Sequence, residues 1–161
     1  MSYEFKTKPF GHQAAVLKLS WKALNWAYFM EMGTGKSKVC IDNAGILYEL
    51  NHIDTFVIVA PKGVFRNWAR IEIPTHLPDR IERDIAMWSS TPKREQKKQL
   101  ESFLAPNVSE TLRILVMNVE ALSTVKGTRF LEQVLKKSKA MFAVDESTTI
   151  KSPKARRTKA I

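Results

Sequence analysis

The segment Glu31-Met32-Gly33-Thr34-Gly35-Lys36-Ser37 constrains this chain more than any other. Two glycines separated by one residue and followed directly by Lys-Ser let successive backbone N–H groups converge on one point, because no Cβ stands in the way. An apolar run, Trp26-Ala27-Tyr28-Phe29-Met30, precedes the turn, and a stretch of helical spacing, Val39 to Leu50, follows it. Strand, glycine turn and helix is the order in which a phosphate-binding loop is built. The helix N-terminus adds positive potential, so an anion is favoured there. Lys36 can reach β- and γ-phosphates as a point charge, and Ser37 can offer its hydroxyl to Mg²⁺. Gly33, Thr34, Gly35, Lys36 and Ser37 are therefore expected to hold the polyphosphate of a nucleoside triphosphate.

Composition narrows the setting. The 161 residues suffice for one domain with a real core, and a single domain over 1–161 is expected. Lys and Arg number 26 against 16 acids, a formal charge of +10. That excess points to a polyanionic partner, with nucleic acid first; solubility alone is the plainer account of a basic surface. Cys40 is the single cysteine, so no internal disulfide forms, and a reducing, intracellular compartment (cytoplasmic or nuclear) fits. On the helix after the glycine turn, Cys40 reads as a small core residue. The opening Met1-Ser2-Tyr3-Glu4-Phe5-Lys6 lacks the apolar centre of a signal peptide. No apolar run approaches the roughly 18 residues of a membrane span, so no membrane partner is expected.

Five apolar runs recur along the chain: Trp26–Met30, Phe56–Ala60, Ile85–Trp88, Ile114–Met117 and Ala140–Val144. They have strand length and mostly lack alternation, as strands buried on both faces do. Segments of helical spacing lie between them, at Val39–Leu50, Val64–Ile71, Lys93–Leu104 and Phe130–Lys136. The alternation predicts an α/β fold, a parallel sheet with helices on both faces. Thr91-Pro92 is expected to open the third helix as N-cap and first residue. Pro74–Asp84 reads as a surface connection. The four tryptophans, Trp21, Trp26, Trp68 and Trp88, read as packing residues. Ligands of open parallel sheets bind at the carboxyl ends of the strands. Three runs end there in chemically loaded residues: the glycine turn, Pro61-Lys62-Gly63 and Asp145-Glu146.

Asp145-Glu146 closes the apolar run Ala140-Met141-Phe142-Ala143-Val144. Asp145 is expected to hold Mg²⁺, directly or through water, and Glu146 to orient or deprotonate an attacking water. An ordinary acidic loop is the competing account, which the upstream glycine turn disfavours. Gln13 lies 20 residues before Gly33. Its amide matches both the donor and the acceptor of an adenine edge.

Together, Gln13, the glycine turn, Val57-Ile58-Val59-Ala60-Pro61-Lys62 with Asn67-Trp68, and Asp145-Glu146 with Ile150-Lys151-Ser152-Pro153-Lys154 resemble the ordered motifs of Swi/Snf-like ATPases of helicase superfamily II. The resemblance runs from the glutamine to the end of the chain. It implies the N-terminal RecA-like lobe, a P-loop NTPase lobe, of a DNA-dependent ATPase or translocase, with ATP and Mg²⁺ as cofactors. It implies that Gln13 reads adenine, that Lys36, Asp145 and Glu146 are catalytic, and that Ser37 and Asp145 hold the metal. It places Pro61, Lys62 and Asn118 beside a nucleic-acid backbone, duplex DNA in this family. Two departures stand out. Met30 occupies the first glycine position of the general phosphate-loop pattern, and Thr148 stands where many relatives carry a histidine that couples nucleotide to later motifs. A third motif and a second RecA-like lobe, which supplies arginines worth about 10³–10⁵ in rate, would follow Ile161 in the family. These 161 residues alone are thus expected to bind nucleotide weakly and to turn it over little.

Two other classes remain. One is a non-catalytic nucleotide- or DNA-binding module; the other is a small-molecule P-loop kinase, which leaves Gln13 without a role. The basic stretch Lys151–Lys159 reads equally as a DNA-groove lining or a solvated helix face. Lys93–Lys98 reads as solvated. The three histidines have no metal-ligand spacing, no Gly-x-Ser-x-Gly elbow is present, and Gly-Lys-Ser replaces the third glycine of a nicotinamide site.

Overall fold

The protein is described here by a computed structural model over residues 3–145. Its centre is a four-stranded, wholly parallel sheet in the order β2-β3-β1-β4. The strands are β1 (Thr55–Ala60), β2 (Arg83–Met87), β3 (Leu112–Asn118) and β4 (Ala140–Val144). The reason for their unbroken apolar sequences is visible in their packing. Phe56, Ile58, Ala60, Leu112, Ile114 and Val116 point to one side, and Val57, Val59, Leu115, Met117 and Ala86 to the other. The two central strands, β1 and β3, are therefore covered on both faces, whereas the flanking β2 and β4 are only partly covered.

The helices divide between the two faces. The first face carries α2 (Lys36–Glu49) and the connection from β1 to β2, which runs through α3 (Phe65–Asn67), a π-helical turn (Trp68–Glu72) and α4 (Ile73–His76). The second face carries α5 (Arg94–Ser102), a 3₁₀ turn (Val119–Ser123) and α6 (Val125–Lys137). The predicted α/β architecture, with a parallel sheet and helices on both sides, is what the chain adopts. A helix before the glycine turn, α1 (Gly11–Ser20), completes the order. Among the described residues no helix is long and apolar enough to cross a membrane.

Several expectations are corrected. Trp26–Met30 forms no strand. Parallel strands exist through their neighbours' backbone groups, and among the described residues this run has no such neighbour: its internal backbone bond is the local Phe29 N–H to Ala27 O. Phe29 is 97% exposed and Trp26 46%, so Trp26 is not a packing residue, whereas Trp68 and Trp88 are. Its centre is anchored by side chains: the Tyr28 hydroxyl donates to Ser20 Oγ (3.3 Å) and accepts from Asn43 Nδ2 (3.2 Å). The third expected helix starts later, at Arg94 with Lys93 as N-cap, while the Thr91 N–H donates to Ser89 Oγ within a turn. Val64–Ile71 is helical from Phe65, as expected, but it passes through a π-helical turn and continues to His76, so Pro74–His76 belongs to α4 rather than to a loop. The last helix begins at Val125, earlier than expected, because Thr124 Oγ1 caps it by accepting from the Gly127 N–H (3.1 Å).

Candidate functional site

The glycine turn is built for an empty backbone. Gly33 (φ +77°) and Gly35 (φ +82°) both lie in the left-handed region, which costs an L-residue strain. Gly35 is also the N-cap of α2 and has no side chain to offer its first N–H groups. The first residue of this 14-residue helix with a backbone partner beyond the cap is Val39, which donates to Gly35 O (3.2 Å). The N–H groups of Lys36, Ser37 and Lys38 are thus the orphan donors of a helix start, beside which an anion is stabilised. Thr34 closes the turn, its Oγ1 donating to Glu31 O (2.6 Å). Lys36 Nζ folds back onto the same turn, donating to Met30 O (3.0 Å) and Glu31 O (3.0 Å). Ser37 is half-buried, and its hydroxyl has no hydrogen-bond partner among the described residues.

Helix α1 holds the turn from outside. Gln13 is buried, with its Oε1 accepting from the Phe10 N–H (2.9 Å) and its Nε2 donating to Thr34 O (2.9 Å). His12 Nε2 lies 3.1 Å from the same carbonyl. In this arrangement the Gln13 amide spans the two ends of the N-terminal segment and sits against Gly35.

The carboxyl ends of three neighbouring strands form a row. Ala60 is in register with Asn118, and Val59 with Val144. The Asp145 N–H continues the ladder by donating to Val59 O (2.8 Å). Asn118, Pro61-Lys62 and Asp145 therefore span two strand spacings, about 10 Å. Lys62 is exposed, Pro61 is half-buried, and Asn118 Nδ2 donates to Glu120 Oε2 (3.0 Å). Asp145 is half-buried, and its Oδ2 accepts from Trp68 Nε1 (2.8 Å).

Electrostatics ties α2 to this row. Burial pushes the Cys40 thiol up to about 12, and the nearby charge of Asp145 adds to the effect. Cys40 is thus a buried core residue, as its position suggested. It stands three residues after Ser37, on the same helix face. Glu146, Thr148, Ile150–Lys154 and the basic run Lys151–Lys159 lie outside the described residues.

Two features escaped the sequence reading. One is Trp68 as donor to Asp145. The other is the buried pair Lys38–Asp42 (Nζ to Oδ2, 2.6 Å) in the first turns of α2, with the Phe5 ring 5.4 Å from the ammonium. Their i, i+4 spacing was visible, but not that both would be sealed under the N-terminal segment.

No family model matches the chain, and no curated protein matches it. Among solved structures it is similar to a Sulfolobus solfataricus SWI2/SNF2 ATPase core in complex with dsDNA, at 13% identity and a TM-score of 0.58. That match covers the whole of this chain, which spans 37% of the other chain's length. The likeness is one of fold: a parallel α/β lobe of the RecA-like kind.

Proposed function

We propose that this chain is the ATP-binding lobe of a DNA-dependent, translocase-type ATPase. The observation that carries the reading is the meeting of two elements at one sheet edge. A left-handed glycine turn opens a long helix, and Cys40, one turn along that helix, lies near enough to Asp145 to feel its charge. The turn N–H groups and Lys36 bind the phosphates, Lys36 exchanging its two carbonyl partners for phosphate oxygens. Mg²⁺ fits the donors present. The Ser37 hydroxyl and an Asp145 carboxylate are hard oxygens, and a site of few protein ligands completed by phosphate oxygens suits this ion. When bound, the metal neutralises charge on the phosphates. Gln13, placed against the turn, reads adenine on nucleotide entry, and Glu146 serves the attacking water.

Pro61, Lys62 and Asn118, along the same edge, face the nucleic-acid backbone. The dsDNA in the similar SWI2/SNF2 core and the charge of +10 favour duplex DNA. A second RecA-like lobe closes the site in the complete enzyme and supplies arginines that stabilise charge on the transferring phosphate, so turnover by one lobe is low. Residues 1–161 are one domain of that enzyme, and it works inside the cell.

Thermal denaturation with Mg-ATP tests this. At 100 times Kd the ligand stabilises by about 2.7 kcal/mol, which is about 5–11 °C for a chain of this size. Lys36→Ala should lose that shift. An unchanged shift in Lys36→Ala refutes the assignment. A full shift that yields no hydrolysis even with the second lobe and duplex DNA present marks the chain as a binding module.

A further inference from the structure

Trp68 is 4% exposed, and its indole N–H ends on the carboxylate of a residue 77 positions away. An indole nitrogen donates and never accepts. It can therefore stabilise an ionised Asp145 and fix its rotamer, but it cannot take a proton from water or compete for a cation. It engages Oδ2 and leaves Oδ1 for another partner. The backbone beneath it is unusual. Trp68 begins the π-helical turn, with the Ile73 N–H returning to Trp68 O, five residues back, between two short α turns. Such turns cost regularity and concentrate at functional sites, where they re-aim a side chain. Glu72, on the same turn, has its carboxyl held above the usual range by burial and then by the charge of Asp145.

We propose that Trp68 is a positioning residue which, through its Nε1–H bond to Asp145, presents the free carboxylate oxygen to a divalent cation bound with nucleotide. This rests on the reading of the site as an Mg-ATP site. The same connection leaves β1 through Pro61-Lys62, so the indole also links the strand-end segment to the metal ligand.

Mn²⁺ binding by the full chain, read by electron paramagnetic resonance with ATPγS present, tests the role. Trp68→Phe keeps most of the ring and removes the donor. Loss of a partner that orients a metal ligand weakens the metal about 10–100-fold. The low end, about tenfold, is expected, with ATPγS affinity in EDTA unchanged because Lys36 and the turn are untouched. A merely structural role would lower both. A second measurement needs no substitution: bound Mn²⁺ should broaden the Trp68 indole resonance and spare that of Trp88, packed on the other face of the sheet. Wild-type Mn²⁺ affinity in Trp68→Phe, or a sharp Trp68 resonance with Mn²⁺ bound, overturns the proposal. Failure of the wild-type chain to bind Mn²⁺ with ATPγS instead sinks the nucleotide reading and this role with it.

Discussion

Gly33 and Gly35 offer a matched pair of perturbations two residues apart. Both have positive φ, so alanine at either costs left-handed strain of about 1–2 kcal/mol. Both substitutions also stiffen the unfolded chain, by about 0.4–1 kcal/mol, an offset common to the two. Their surroundings differ. A Cβ on Gly33 meets nothing within 4 Å, whereas one on Gly35 would overlap the Gln13 amide nitrogen. Gln13 must then leave Thr34 O, losing about 1 kcal/mol of net hydrogen bonding and exposing a buried amide to a further penalty of about 1–3 kcal/mol. Gly35→Ala should therefore be less stable than Gly33→Ala by about 2–4 kcal/mol in urea denaturation without nucleotide. In a Gln13→Ala background the steric partner is gone, and the gap should close to within about 0.5 kcal/mol. Equal losses for the two glycines refute the reasoning. So does a gap that survives in the Gln13→Ala background, because the cost would then not pass through the amide.

Two further outcomes follow from the packing. Gly127→Ala would drive a methyl into the Ala121 carbonyl oxygen at the start of α6, where backbone must yield; a loss of about 3 kcal/mol is expected from urea midpoints, and a near-neutral result contradicts the contact. Asp42 has its carboxyl pushed up to about 6, chiefly by burial and against the lowering pull of Lys38. The folded state binds this proton more tightly than the unfolded chain, whose aspartates titrate near 4, so the associated stability is complete below about pH 4 and is lost as pH rises through about 6. Asp42→Asn should flatten that part of the stability–pH curve, and an unchanged slope would show that another group produces it.

How much of this was legible depends on whether a residue's neighbours are local. β1 and β3 could be read because burial on both faces leaves a continuous apolar record in the sequence itself. Trp26–Met30 carries the same record without the structure, because composition reports what a strand needs on its faces and not whether an edge is there to pair with. Trp68 was readable as apolar and buried, but its bond to Asp145 joins residues 77 positions apart in sequence and has no local signature. The least legible element is α1. Its buried positions, Gln13, Leu17 and Ser20, fall at helical spacing, yet two of the three are polar, so no apolar stripe announces the helix. A polar stripe is stable when buried only if every group on it finds a partner. Gln13 finds the Phe10 N–H and Thr34 O, and Ser20 Oγ finds Leu17 O and the Tyr28 hydroxyl. Two of those partners, Thr34 O and the Tyr28 hydroxyl, lie in the segment that forms the glycine turn and its approach, and the other two belong to α1 and its N-cap. The feature that hid α1 from periodicity is thus the feature that couples it to the site: a helix placed to fill a core would have buried leucines, and this one buries hydrogen-bonding groups because its load is a loop of exposed backbone.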